Sequence, residues 1–190
     1  TTSQSLIYRS SYVESNTEMQ LKLGASAHYM GSSFSANMKI TDAKQTKTFF
    51  IEAEKELFSI SVDKPENGFF NTEVPGIENL GYISNVSYGV KIIGKIESLD
   101  SDFKLMINGG FAGGGFDFAS FSRRSHKNIK CFFYVVGGMS EEVIGTNISD
   151  VYDRINRILA TVNYKTCMPI RMKFAQVTTG NTINYKDATN

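Results

Sequence analysis

The chain of 190 residues has no tryptophan, two cysteines, two histidines and three prolines, and each scarcity removes a class of explanation. Cys131 and Cys167 are too few and too widely spaced for a metal-binding repeat or a disulfide framework, and both read as buried small hydrophobes. His28 and His126 form no His-Glu-x-x-His pair, and no serine sits in a Gly-x-Ser-x-Gly elbow. Gly109-Gly110-Phe111-Ala112-Gly113 does not fit a dinucleotide-binding glycine pattern. No catalysis, metal or cofactor is expected. An excess of one charge is also missing. Twenty basic and 19 acidic residues give a net charge of +1, which leaves no surface for a nucleic acid. The dense basic run Arg123-Arg124-Ser125-His126-Lys127 reads as a solvated loop. No apolar stretch reaches the length of a transmembrane helix. No signal-peptide pattern opens the chain, and a mature secreted product would have lost one.

What the chain does have is two stretches that satisfy two periodicities at once. In Met19–Ile40, residues Met19, Leu23, Ala27, Met30 and Phe34 recur at helical spacing. The same stretch also alternates: Met19, Leu21, Leu23, Ala25 and Ala27 oppose Gln20, Lys22, Gly24, Ser26 and His28. After a break at Met30-Gly31-Ser32 the alternation resumes in opposite phase, with Phe34, Ala36, Met38 and Ile40 against Ser33, Ser35, Asn37 and Lys39. Phe103–Phe121 repeats the pattern less cleanly, with Phe103, Leu105, Ile107 and Phe111 on one side and a phase break around Ala119–Phe121. Its Gly109–Gly115 cluster weakens any helix by roughly 1 kcal/mol per glycine relative to alanine. Each half of the first stretch has about the length, roughly 9–11 residues, that crosses a bilayer as a tilted strand with one apolar and one polar face.

Elsewhere the patterns are plainer. Strands are expected at Ser5–Glu14, Phe49–Val62, Tyr82–Glu97, Ile129–Val136 and Pro169–Val177, with a further one at Ile183–Lys186. Pro65, Gly68, Pro75 and Gly76 punctuate the loop Asp63–Gly81. Val151, Ile155, Ile158 and Leu159 predict one amphipathic helix, capped by Asn147 or Ser149. The order predicts an α+β fold in a single domain over residues 1–190: a bent, twisted antiparallel sheet of four strands flanked by two helical clusters.

Tyr82-Ile83-Ser84-Asn85-Val86-Ser87-Tyr88-Gly89 resembles a signature of the cholesterol-dependent, or thiol-activated, cytolysins, which share a core with the membrane attack complex/perforin proteins. Four more landmarks resemble the same family in order and spacing: Tyr12-Val13-Glu14-Ser15, Leu57-Phe58-Ser59-Ile60-Ser61-Val62, Val135-Val136-Gly137-Gly138 and Met168-Pro169-Ile170. The resemblance implies a pore-forming toxin-like protein, secreted and soluble as a monomer, that assembles as a ring-shaped homo-oligomer on a target lipid membrane. Residues 17–46 and 99–128 would then be segments that unfurl into membrane hairpins. Their lipid-facing candidates are Met19, Leu21, Leu23, Ala25, Ala27, Phe34, Ala36, Met38, Phe103, Leu105, Ile107 and Phe111. Gly137 and Gly138 would form a pivot beside the fourth core strand, and Tyr12, Glu14 and Phe132 would touch the next subunit.

The chain departs from the family in three ways. It has no room for the carboxy-terminal membrane-recognising domain, so a separate targeting protein or domain is implied and cholesterol binding is not. The family's long amino-terminal region is missing, which makes the chain a core fragment or a minimal version. Ser149 falls near the place of the lysine that pairs with the Glu14 equivalent, and Cys131, one before Phe132, falls at the place of an intersubunit aromatic. The competing reading is a non-lytic binding or assembly module with both segments permanently helical.

Overall fold

The computed structural model describes residues 6–24, 30, 32–40, 45–112, 115–124 and 126–183. Its spine is an antiparallel sheet in the order β1 (Ile7–Val13), β2 (Lys47–Ser61), β3 (Gly81–Ser98), β6 (Ile129–Val136) and β7 (Glu141–Gly145). A second branch leaves β3 through β8 (Met168–Gln176) to β9 (Thr182–Ile183). The sheet is therefore seven-stranded rather than four-stranded. The expected strands β1, β2, β3 and β6 lie side by side, and β7, β8 and β9 widen the sheet around them. Of the segment expected at Ile183–Lys186, only Ile183 lies within the described residues.

β3 is the longest strand, and it changes partner along its length. Gly81–Gly89 pairs with β8, and Lys91–Ser98 pairs with β6, while β2 runs along its other edge. At Gly94 the strand passes under the Phe133 ring so closely that a Cβ would lie 2.2 Å from Cδ1. Only glycine leaves room for that ring, which is fully buried.

Both faces of the β1–β2–β3–β6 region are covered, so consecutive apolar residues are buried together at Phe49-Phe50-Ile51, Ile92-Ile93 and Cys131-Phe132-Phe133. One face presents Phe49, Ile51, Ala53, Val90, Ile92, Ile96, Cys131 and Phe133. Against it pack α3 (Phe103–Asn108), α4 (Phe118–Ser122) and α5 (Ile148–Leu159). The other face presents Val13, Phe50, Ile93 and Phe132, covered by α1 (Asn16–Leu23) and α2 (Ser32–Met38). α5 is the predicted amphipathic helix, with Asn147 as its cap, accepting from the Ser149 and Asp150 amides.

Burial pushes the Cys131 thiol from 9.0 up to about 12. The unfolded chain ionises this thiol first, so stability present below pH 9 is lost as pH rises through the 9–12 window. The loss from this group is about 1.4 kcal/mol per pH unit. In urea unfolding at pH 9 and 10, Cys131→Ala should flatten that decline relative to the parent. An equal decline in both proteins would contradict a thiol that keeps its proton in the fold.

Candidate functional site

The described residues of the two ambiguous stretches include short helices, which lie on opposite faces of the sheet. α1 starts on Ser15, whose hydroxyl accepts from the Glu18 amide at 3.1 Å, while the Glu18 carboxylate accepts from the Glu14 amide at 2.9 Å. This reciprocal cap sets where β1 stops and the helix begins. The other end of the segment is tied back to the same place. The Asn16 side chain accepts from the Ile40 amide at 2.8 Å and donates to the Ile40 carbonyl at 3.5 Å. Lys95 Nζ donates to the Lys39 carbonyl at 2.6 Å and pairs with Glu97 at 2.7 Å, with both side chains almost fully buried. Desolvation holds the Lys95 ammonium below its usual 10.5, against the opposing pull of Glu97. Sequence reasoning missed this tether. Its signal was two opposite charges, Lys95 and Glu97, two residues apart and so on one face of β3.

Met19, Leu23, Phe34 and Met38 form the buried stripe of the first segment, joined by Ile40 and the half-buried Met30. Phe34 packs 6.2 Å from the Phe132 ring and 5.7 Å from the Tyr134 ring. Leu21 and Ala36 are exposed, while Ala25 and Ala27 lie outside the described residues. In the second segment Phe103 and Ile107 are buried, whereas Leu105 is 73% exposed. Phe111 opens a two-residue strand, β4 (Phe111–Ala112), which pairs with β5 (Gly115–Phe116). The helical reading is thus corrected at Phe111–Ala112 and Gly115–Phe116, where the chain is extended.

Tyr12 fastens the second segment to β1. Its hydroxyl donates to the Lys104 carbonyl at 3.1 Å and lies 3.2 Å from the Asn108 side-chain oxygen, and Lys104 Nζ stands 5.5 Å over its ring. Burial raises its phenol above the usual 10.0. Tyr12→Phe keeps the ring and removes the bond, worth about 1 kcal/mol. Amide exchange over Phe103–Asn108 should then quicken about fivefold. Unchanged exchange would show that the hydroxyl does not hold α3. Glu14 is exposed. Phe132 is buried beneath α2, and the adjacent Cys131 points to the other face. Phe132 is thus covered for as long as the first segment stays helical.

Gly137 and Gly138 make the turn from β6 to β7, with φ of 105° and 63°. The Gly137 amide donates to Ser140 Oγ and the Gly138 amide to the Thr166 carbonyl. The pair is therefore a fastened turn in this state. Among the described residues, no group of His, Cys, Asp and Glu could hold a metal, and no helix is long and apolar enough to cross a membrane.

No family model and no curated protein matches the sequence. Solved structures do. A Gram-negative toxin superposes with a TM-score of 0.66 at 21% identity, covering 94% of this chain and 43% of its own. Suilysin, a cytotoxin of Streptococcus suis, gives 0.63 at 19% identity over 96% of this chain and 42% of its own. Listeriolysin O gives 0.67 at 16% identity over 95% of this chain and 40% of its own. The chain spans about two fifths of the length of these structures. Over nearly all its own length, this chain has the fold found in cholesterol-dependent cytolysin structures.

Proposed function

We propose that this chain is a pore-forming core. Copies assemble into a ring on a lipid membrane, and residues 17–46 and 99–128 leave the sheet and enter the bilayer as amphipathic β-hairpins. In this reading β1, β2, β3 and β6 are a bent core, the two flanking helical groups are its latent barrel wall, and residues 1–190 act as one unit. The monomer is secreted and soluble, and it becomes membrane-bound as an oligomer. A separate protein or domain delivers it to its target. Tyr12, Glu14 and Phe132 meet the neighbouring subunit, and Gly137-Gly138 lets the segment after β6 swing away.

One observation carries the reading. Segments that alternate in two-residue steps on either side of a phase break contain helices that bury only part of their apolar side. Leu21 is 56% exposed and Leu105 73% exposed, so the folded monomer has no use for either as a core residue. The helices are also weak by themselves. They span eight, seven, six and five residues, whereas an isolated helix shorter than about 12–15 residues is marginal in water. Packing against the sheet therefore holds them, and loss of that packing on either face frees the segment it covers. A lone hairpin in lipid leaves edge groups unpaired, and a closed ring satisfies them, so assembly precedes or accompanies insertion.

The test is dye release from phosphatidylcholine vesicles containing a nickel-chelating lipid, with a hexahistidine tag on the protein supplying the targeting step. Release that requires tethering, together with ring-sized oligomers in detergent extracts, is the expected result. Tethered protein that remains monomeric, helical and non-leaking would favour the non-lytic module.

A further inference from the structure

We propose that the folded protein already sets the strand register of both hairpins, and that the β4–β5 pair is the preformed tip of the second. The inference rests on the conversion reading above. The β3–β6 ladder ends with Ser98 opposite Ile129. The arms that leave it, residues 99–110 and 117–128, contain equal numbers of residues, and they end at Phe111 opposite Phe116 and Ala112 opposite Gly115. The large sheet and the isolated two-stranded one therefore share a single register. Straightening the arms would join them without slip or bulge. Gly113 and Gly114 alone separate Ala112 from Gly115 in the sequence, a composition suited to a two-residue hairpin turn.

The first segment meets the same condition from its base. The β1–β2 ladder ends with Val13 opposite Thr48. Continued residue by residue, it brings Leu21 opposite Ile40, Leu23 opposite Met38, and Ala27 opposite Phe34. It leaves Met30 and Gly31 at the turn, where the sequence alternation reverses phase. Directly opposed residues of an antiparallel pair share a face, so apolar meets apolar here. On the water side Gly24 meets Asn37, Ser26 meets Ser35, and Lys22 meets Lys39 as a like-charged pair. A slip of one residue would set Leu23 against Asn37 or Lys39 and undo the match.

The two registers also agree with each other. Val13, Phe50, Ile93 and Phe132 occupy one face of the sheet. Counting alternate residues from Val13 leads to Leu21 and Leu23, from Phe50 to Met38 and Phe34, from Ile93 to Phe103, Leu105 and Ile107, and from Phe132 to Phe118 and Phe116. The apolar residues of three arms therefore fall on one side, as a wall in lipid requires, and the fourth adds Phe118 and Phe116 to that side near the tip. The match runs from Leu21 opposite Ile40 to Ala27 opposite Phe34 in the first hairpin, below which Met19 meets Asp42, and it is partial in the second, where Ser120, Ser122 and Arg124 come opposite Ile107, Leu105 and Phe103.

Three cysteine pairs in a Cys167→Ser background test the register on the tethered vesicles described above. Ala112→Cys with Gly115→Cys joins two exposed positions, and a Cβ at Gly115 meets nothing within 4 Å. This disulfide should form in solution and leave dye release within about twofold of the reduced protein, because the tip keeps the same pairs throughout. Lys22→Cys with Lys39→Cys should cross-link on leaking vesicles at least tenfold more than Lys22→Cys with Asn37→Cys. Opposed Cα atoms lie roughly 4.5–5.5 Å apart, within disulfide reach, and a two-residue offset takes them out of it. Leakage accompanied by equal or reversed cross-linking, or abolished only when the tip is locked, would overturn the inferred register and leave the conversion reading standing. Neither leakage nor cross-linking would overturn both.

Discussion

Ala36→Arg is expected to abolish dye release, and Asn37→Arg, one residue away, to leave it largely intact. Both positions are exposed on α2 and line the same open hollow beside Lys39 and Lys130. An added guanidinium is therefore solvated in the folded monomer at either site and changes stability little. The difference arises only after conversion. In the inferred hairpin Ala36 faces lipid near the middle of a crossing strand, where arginine costs roughly 2–4 kcal/mol per subunit, and Asn37 faces the water-filled lumen. Multiplied around a ring, that cost exceeds what assembly can offset. Leu23 and Phe34 lie on the same lipid-facing side, but both are buried in the monomer, so charging them would also unfold the helical form. Urea unfolding of both arginine variants checks the monomer. Equal release from Ala36→Arg and Asn37→Arg would contradict a two-faced hairpin.

The second large effect is expected at the β6–β7 turn. Gly137→Val combined with Gly138→Val should lower the unfolding free energy by roughly 3–5 kcal/mol, a large share of a typical 5–15 kcal/mol. Both positions have positive φ, which costs a non-glycine residue roughly 1–2 kcal/mol and a β-branched one more. Contacts add to this. A Cβ at 137 would lie 2.8 Å from the Gly89 carbonyl oxygen, and one at 138 would lie 2.4 Å from Thr161 Oγ1 and 2.9 Å from the Ile158 carbonyl oxygen. Chemical denaturation measures the loss directly, and retained parental stability would mean that the turn is not as described. A pivot role makes a separate demand: a defect in oligomerisation that persists at a temperature where variant and parent are both fully folded.

Much of the sheet was legible in the sequence because its strands are long and bounded by turn residues. Ile129–Val136 was bounded as expected, and Lys47–Ser61 and Gly81–Ser98 came within two residues. β7 was not anticipated. Its five residues, Glu141–Gly145, have too little alternation to stand out, and pairing with β6 and packing against α5 hold them in place. β4 and β5 were hidden for a different reason, since a glycine cluster reads as a break until a partner strand lies beside it. The Asn16–Ile40 clasp and the Lys95–Lys39 tether link residues with no local periodicity in common, and only the folded chain brings them together.

The sequence alone determined the two-sided character of residues 19–40, since alternation and helical spacing are both properties of residue order. It left the choice between helix and strand open, because short segments have no intrinsic preference strong enough to decide it. Tertiary structure made that choice in the monomer. The face formed by Val13, Phe50, Ile93 and Phe132 accepts a helical stripe of Met19, Leu23, Phe34 and Met38, and burying that stripe outweighs the weak propensity of α1 and α2. Strand register was likewise beyond the sequence, because any even slip preserves alternation. Ladders that end at Val13 opposite Thr48 and at Ser98 opposite Ile129 fix it, since each backbone hydrogen bond constrains the next.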